Sequence, residues 1–307
     1  MSVPLVSVAI PAYNHAAFIE ACLESVCAQT YPELELVLID DGSKDDTFER
    51  ARRYLDVHGG CLRRIVLERQ ENQGVSATSN ACFAACRGEW VHLLGSDDVL
   101  YPRKVERIQQ AIAGWNCPEL VLVHADVDII DHEGRIHARQ SAKSRPQAGI
   151  EHEAWRWIFM GKHYIFNPTL ALRRDAFLAI GGFDASLALE DMDFWLRLSV
   201  HHAFGRVPEV LAGYRKHAGN TSRRRVKMLG AHFLTYAKFL AEHAGLMPED
   251  ELRRHFRKHL KRFWRRTRYR QPWRLLPVLA ALVKSSFSTP QAEDYRRFGQ
   301  ILDRMAG

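Results

Sequence analysis

Between Val6 and Pro102 a short run of β-branched and aliphatic residues gives way to a helical stripe four times over. The runs are Val6–Ile10, Leu34–Ile39, Arg63–Leu67 and Trp90–Leu94. The clearest stripe is Phe18, Ile19, Cys22, Leu23 and Val26, one face of a helix. A parallel strand pair needs a crossover of about a dozen residues or more, and a helix usually supplies it. Repeating the unit therefore predicts a mostly parallel α/β sheet with helices on its faces. Ligands of such sheets bind beyond the carboxyl ends of the strands. The special residues fall at those ends here: Pro11–Tyr13 after the first strand, Asp40-Asp41 after the second and Asp97-Asp98 after the fourth.

The last cluster carries the sharpest chemistry. An apolar strand stops at Leu94, and two adjacent carboxylates follow within four residues. Unpaired charge at the end of a buried strand is costly, and a divalent cation carrying phosphates offsets it. The plainer alternative is a helix cap, because Asp favours that position. Beyond it the pattern loosens. Leu120–Val127, Asn167–Leu172 and Val207–Tyr214 read as strands, Glu153–Met160 and Arg173–Ile180 as helices. Asp131–Gly134 reads as a hairpin turn, Gly181–Asp184 as a turn, and Asp191–Val200 as a helix. Arg139–Gly149 reads as a polar loop.

Charge divides the chain near Ser222. Residues 223–307 hold 20 Lys and Arg against 7 Asp and Glu, whereas residues 1–222 hold 23 against 29. An acidic body at 1–222 and a basic, mainly helical region at 223–307 are expected. The amino-terminal residues lack the layout of a signal peptide. No apolar run approaches the about 18 residues of a membrane span. Six cysteines without a Cys-x-x-Cys pair read as buried reduced thiols of a cytoplasmic protein.

Val8-Ala9-Ile10-Pro11-Ala12-Tyr13-Asn14, Leu38–Ser43, Asn72-Gln73-Gly74 and Gly95-Ser96-Asp97-Asp98 together resemble the nucleotide-sugar half of family-2, GT-A-fold inverting glycosyltransferases. Gly181-Gly182-Phe183-Asp184, Glu190-Asp191 and Tyr214-Arg215-Lys216-His217 continue the resemblance in the same order, over residues 4–222. The resemblance implies a Rossmann-like GT-A sheet and a nucleotide-sugar donor, a UDP-sugar. In it Asp41 accepts a hydrogen bond from the uracil, and Pro11, Ala12 and Tyr13 lie against the base. Gln73 and Gly74 precede a helix whose free N–H groups suit phosphate or ribose, although helix-start chemistry explains them as well. Asp97 contacts ribose or the metal shell. Asp98 binds Mn²⁺ or Mg²⁺, with His217 as a second ligand, and Ser96 stands where many relatives carry the first aspartate. Asp191 matches the base that deprotonates the acceptor hydroxyl, its pKa raised by the neighbouring Glu190 and Asp193. Arg215, Lys216 and Arg223–Arg225 either meet the diphosphate or an anionic acceptor, or form a solvated basic face.

The expected reaction is addition of one sugar to a glycan or lipid-linked acceptor in cell-surface polysaccharide or lipopolysaccharide synthesis. No Gln-x-x-Arg-Trp motif of the processive synthases occurs. A sugar-nucleotide nucleotidyltransferase is the enzymatic rival, but Pro11-Ala12-Tyr13-Asn14 occupies the place of its Gly-rich loop. A non-catalytic membrane or nucleic-acid adaptor is the other. Leu252, Phe256, Leu260, Phe263 and Trp264 recur at helical spacing among ten Lys or Arg between Arg253 and Arg270. Residues 253–284 thus suit an anionic membrane surface at the inner face of the cell membrane, or else pack their apolar face on the body. Nucleic acid is not an expected partner, because the acidic body repels it.

Overall fold

β1 (Val6–Ala12) and β2 (Leu34–Asp40) are buried along nearly their whole length in the computed structural model. Strands covered on both faces require that burial. They pair in parallel, Val6 opposite Leu34 and Ala12 opposite Asp40. β3 (Arg64–Arg69) pairs in parallel with β2 and is half exposed at the sheet edge. β4 (Trp90–Leu93) pairs in parallel with β1. Helices α1 (Ile19–Cys27), α2 (Thr47–His58) and α3 (Val75–Ala85) are the crossovers. The stripe expected in α1 is buried: Ile19, Cys22, Leu23 and Val26. Each fully buried large aliphatic side chain contributes about 1.5–3 kcal/mol.

The structure describes residues 3–140, 149–161, 165–220, 225–243, 245–267, 281 and 288–306. The chain forms two compact units: Met1–Ala154 with His163–Ala185 and Arg197–Asn220, and Trp155–Lys162 with Ser186–Leu196 and Thr221–Gly307. Side chains of Arg223–Arg225, Phe263 and Trp264, residues 141–148 of the polar loop, and the apolar run at 275–283 apart from Ala281 lie outside the described residues.

The first unit continues with β5 (Val99–Leu100), α4 (Lys104–Trp115), β6 (Leu120–Ile130), β7 (Ile136–Gln140) and β8 (Gly149–Glu151). The strands run β3-β2-β1-β4-β9-β6-β10-β5, where β9 is Ala171–Arg173 and β10 is Ala203–Arg215; β7 pairs with β6 and β8 with β10. β6 and β10 are parallel, whereas β9 sits antiparallel between β4 and β6. β6 runs three residues past the expected Val127, and β10 begins four residues before Val207. The expected strand at Asn167 opens as a 3₁₀ turn, Asn167–Thr169, and extends only from Ala171. Pro168 has no N–H to give a ladder.

Two buried ionisable groups tie this sheet together. Glu35 on β2 has a side chain 0% exposed. It accepts from the Ser7 hydroxyl at 2.5 Å, Gly88 N–H at 3.0 Å and Arg64 Nη1 at 2.8 Å, and from Arg87 N–H. Lys104 on α4 is also 0% exposed. Its Nζ donates to His92 Nδ1 and to the Leu170 carbonyl at 2.9 Å. Burial holds the Lys104 amine well below the usual lysine range. The thiol expectation holds for Cys22, Cys82 and Cys86, which are buried; Cys61 is exposed and Cys27 and Cys117 are partly so.

In the second unit α8 (Arg225–Glu242) and α9 (Glu249–Thr267) are joined by a terminal helix α10 (Ala292–Ala306) and by α5 (Trp155–Phe159). Phe159, Phe233, Tyr236, Phe256, Leu260, Tyr295 and Phe298 form its core. His255 is buried there with Nδ1 2.9 Å from the Tyr295 hydroxyl, and burial keeps its imidazole well below the usual range.

Candidate active site

The Ser96-Asp97-Asp98 turn follows β4 and is held from β10. Asp98 is 3% exposed and its Oδ1 accepts the Arg215 N–H at 2.7 Å. Burial, and then the Asp97 carboxylate, push the Asp98 carboxyl well above the usual range. The Arg215 guanidinium donates to the carbonyls of Asp97 at 2.7 Å, Asp131 at 2.8 Å and His132 at 3.1 Å, and lies over the Phe18 ring. Three carbonyls and a ring occupy it. Arg215 therefore positions the acidic turn.

His217 Nε2 lies 2.9 Å from Asp97 Oδ2, and Asn220 Nδ2 lies 3.4 Å from the same oxygen. His15, in the loop after β1, places Nδ1 2.7 Å from Ser96 Oγ and 4.0 Å from Asp97 Oδ1. One donor atom each from His15, Asp97 and His217 falls within 4.8 Å of the others. Burial lowers the His15 pKa, with Asp97 opposing and His217 adding to the effect. A neutral imidazole has a free lone pair, and two imidazoles with a carboxylate are a donor set that a divalent transition ion accepts. Of the expected metal ligands, His217 thus lies beside Asp97, while Asp98 turns one oxygen to the backbone of Arg215. His15 was not among the sequence candidates. Its only signal is its place one residue beyond Asn14, in the loop that the sheet topology aims at the Ser96 turn.

Asp41, at the end of β2, is 3% exposed. Its Oδ1 accepts Gln73 N–H at 2.8 Å and Gln70 Nε2 at 2.9 Å, and its Oδ2 accepts Gly74 N–H at 2.8 Å. One carboxylate thus shapes the loop before α3 and keeps an acceptor direction on Oδ2. Gly42 is required beside it: its φ is +72°, and a Cβ would sit 3.1 Å from Asn72 N and from Gln70 O. Asp40 accepts the Ser43 N–H at 2.9 Å and orients the same turn. Tyr13 is 42% exposed, Ala12 is buried and Pro11 partly buried. Asn80 on α3 clamps Phe183, giving Nδ2–H to its carbonyl and taking its N–H, both at 2.9 Å. A Cβ on Gly182 would meet that Asn80 oxygen at 2.5 Å.

In the second unit Glu190 and Asp191 open α7 (Glu190–Ser199), and both are partly exposed. Burial raises the Asp191 carboxyl above its ordinary value, although its Oδ1 accepts the Met192 N–H at 2.6 Å. Burial and then Asp191 push Glu190 up to about 7. Asp193 is 2% exposed and paired with Lys238 at 3.1 Å. The shift at Asp191 therefore comes chiefly from burial, and the charge of Asp193 is matched by a lysine.

The family model described as Glycosyl transferase family 2 matches residues 7–181. The chain belongs to this family. A PGL/p-HBAD biosynthesis glycosyltransferase of Mycobacterium bovis is 36% identical over 198 residues, 64% of this chain and 70% of that one. The structure of S. aureus TarS in complex with UDP-GlcNAc matches with a TM-score of 0.67 at 18% identity, covering 98% of this chain and 89% of that chain. Mannosyltransferase PcManGT from Pyrobaculum calidifontis, in complex with GDP-Man and Mn²⁺, matches with a TM-score of 0.59 at 19% identity, covering 99% and 86%. The protein is a glycosyltransferase, and its mixed, mostly parallel sheet flanked by helices is the GT-A fold.

The basic region of this family-2 transferase is amphipathic, as its spacing predicts, and the second unit covers the apolar face. Leu252, Phe256 and Leu260 of α9 are buried, while Arg254, Lys258 and Lys261 are exposed. Arg254 pairs with Asp250 at 2.7 Å, and Lys258 reaches the Met160 carbonyl at 3.2 Å. Through Leu260 this helix offers outward a charged face, with its hydrophobes turned inward. Among the described residues no helix is long and apolar enough to cross a membrane.

Proposed function

We propose that this glycosyltransferase is a metal-dependent, inverting enzyme. It moves a single sugar from a UDP-sugar to a hydroxyl of a glycan or lipid-linked acceptor in cell-surface polysaccharide or lipopolysaccharide synthesis. The observation that carries the reading is the set of polar side chains at the carboxyl ends of β1, β2 and β4. Asp41 has a spare acceptor lone pair, and Asp97 and His217 stand together. Asp41 takes the uracil N–H, with Pro11, Ala12 and Tyr13 against the base and the Gln73–Gly74 turn at the ribose and phosphates. His217 and the Asp97–Asp98 pair hold Mn²⁺ or Mg²⁺. When bound, the cation neutralises charge on the departing diphosphate. Asp191 takes the acceptor proton as the hydroxyl attacks the anomeric carbon. Its raised pKa supports that role, because a more basic carboxylate accepts a proton more readily.

Catalysis belongs to residues 1–222 in this reading, and 223–307 serve as a basic helical extension. The outward Lys258 and Lys261 support contact with an anionic membrane surface at the cytoplasmic side, where each basic residue adds about 1 kcal/mol. A panel of nucleotide sugars incubated with Mn²⁺ tests the reaction, with products followed by NMR. Release of UDP with inversion at the anomeric carbon is the expected result. Release of inorganic pyrophosphate, retention of configuration, or full turnover in excess chelator refutes the reading.

A further inference from the structure

We propose that His15 joins Asp97 and His217 as a protein ligand of the cation. The inference rests on the cation-dependent reading above and adds which side chains hold the ion and which ions they favour. The ring arrives from another part of the chain: His15 Nδ1 lies 2.7 Å from the buried Ser96 Oγ.

His15 is held for this place. Its N–H donates to Thr47 Oγ1 at 2.8 Å, and its carbonyl accepts the N–H groups of Phe18 and Ile19 at 2.9 Å, so the start of α1 fixes its backbone. Its ring meets the Phe18 ring edge-on at 6.0 Å and the His217 ring at 5.6 Å. The three side chains remain reachable, at 24% exposure for His15 and 14% each for Asp97 and His217.

The separations suit one ion. With bonds of about 2.1 Å, adjacent ligands of an octahedral site lie about 3.0 Å apart and opposite ones about 4.2 Å. His217 Nε2 lies 2.9 Å from Asp97 Oδ2, and His15 Nδ1 lies 4.0 Å from the other oxygen, Oδ1. Among the described residues this is the one group of three His, Cys, Asp or Glu whose ligand atoms all lie within 4.8 Å of one another. Two imidazoles and one carboxylate favour Mn²⁺ and later first-row ions over Mg²⁺, which prefers oxygen. A ligand set that includes His15 thus biases this transferase away from Mg²⁺.

Electron paramagnetic resonance of the full chain with Mn²⁺ and UDP tests the assignment, because spin-echo modulation counts coordinated imidazole nitrogens. Two imidazoles are expected. In His15→Ala one should remain, with Mn²⁺ binding weakened at least about tenfold. His15→Asn can still hydrogen-bond Ser96, and it should lose Mn²⁺ affinity to a similar extent if His15 is a ligand and not merely a support for the turn. Labelling histidine with ¹⁵N in the unmutated chain gives the count without any variant. A single imidazole in the unmutated protein, or Mn²⁺ affinity unchanged in both variants, overturns the role of His15 and leaves the cation reading standing. No Mn²⁺ binding by the unmutated chain overturns the cation reading, and the inference with it.

Discussion

Glu35→Gln tests the least conspicuous support of the site. Glu35 joins β2 to Ser7 on β1, to Arg64 on β3, and to the Arg87–Gly88 turn that leads into β4. Glutamine keeps the shape, and its one oxygen can still face Ser7, Arg87 and Gly88. Its NH₂ group must then face the Arg64 guanidinium, donor against donor. A hydrogen bond to a charged group contributes about 1.5–3 kcal/mol, and the other three lose the help of the charge. Arg64 is 28% exposed and also donates to Ala85 O, so water and that carbonyl recover part of the loss. The expected cost is about 3 kcal/mol at pH 7, which at an m-value near 3 kcal/mol/M lowers the urea midpoint by about 1 M.

The pH dependence has a definite sign. Burial alone would raise the Glu35 carboxyl, but the donors from Ser7, Arg87, Arg64 and Gly88 outweigh it and the net shift is downward. A depressed folded-state pKa gives stability that is present above the unfolded value, about 4.5, and is lost as pH falls through the folded value. The gap between unmutated protein and Glu35→Gln should therefore narrow below about pH 4.5. Urea melts at pH 7 and along an acid series measure both. A cost under about 0.5 kcal/mol at pH 7, the level of an ordinary surface change, or a gap that widens with acid, refutes the reasoning.

Asp191→Asn should lower kcat by about 10²–10⁴-fold with little change in donor affinity; equal turnover would remove Asp191 from the chemistry. The same variant should bring the Glu190 carboxyl down from about 7, because Asp191 is part of what raises it, and ¹³C NMR titration of Glu190 reads the change. Arg215→Lys keeps the charge but loses the fork to three carbonyls, so donor KM should rise about tenfold and stability fall by about 1–3 kcal/mol; steady-state kinetics and urea melts would expose an unchanged variant. Lys258→Glu with Lys261→Glu should abolish sedimentation with anionic vesicles while leaving the thermal melt nearly unchanged, and undiminished sedimentation would refute the membrane role of α9.

The strand–helix alternation was legible because its causes are local. β1, β2 and α1 follow from side-chain spacing alone, and Asp41, Asp97 and Asp98 stand out as candidates because they sit where such strands end. Features built by distant pairing were not. β5 is two residues long and β9 three, too short for periodicity, and each exists only because a neighbouring strand supplies the ladder. The apolar stripe of α9 was legible, but a stripe does not say what covers it; the buried aromatics of α8 and α10 do.

The sequence by itself determined a mostly parallel α/β sheet, the acidic turn after β4, and a basic helical region. Hydrophobic period, turn chemistry and charge are properties of neighbours along the chain. Only the tertiary structure decided which groups meet across it. His15 lies against Ser96 over 81 positions, Arg215 knots the acidic turn from 118 positions away, and Glu35 closes on a turn 53 positions on. Hydrogen bonds and ion coordination depend on distances of a few ångströms in space, and separation along the chain carries no information about them until the sheet has formed.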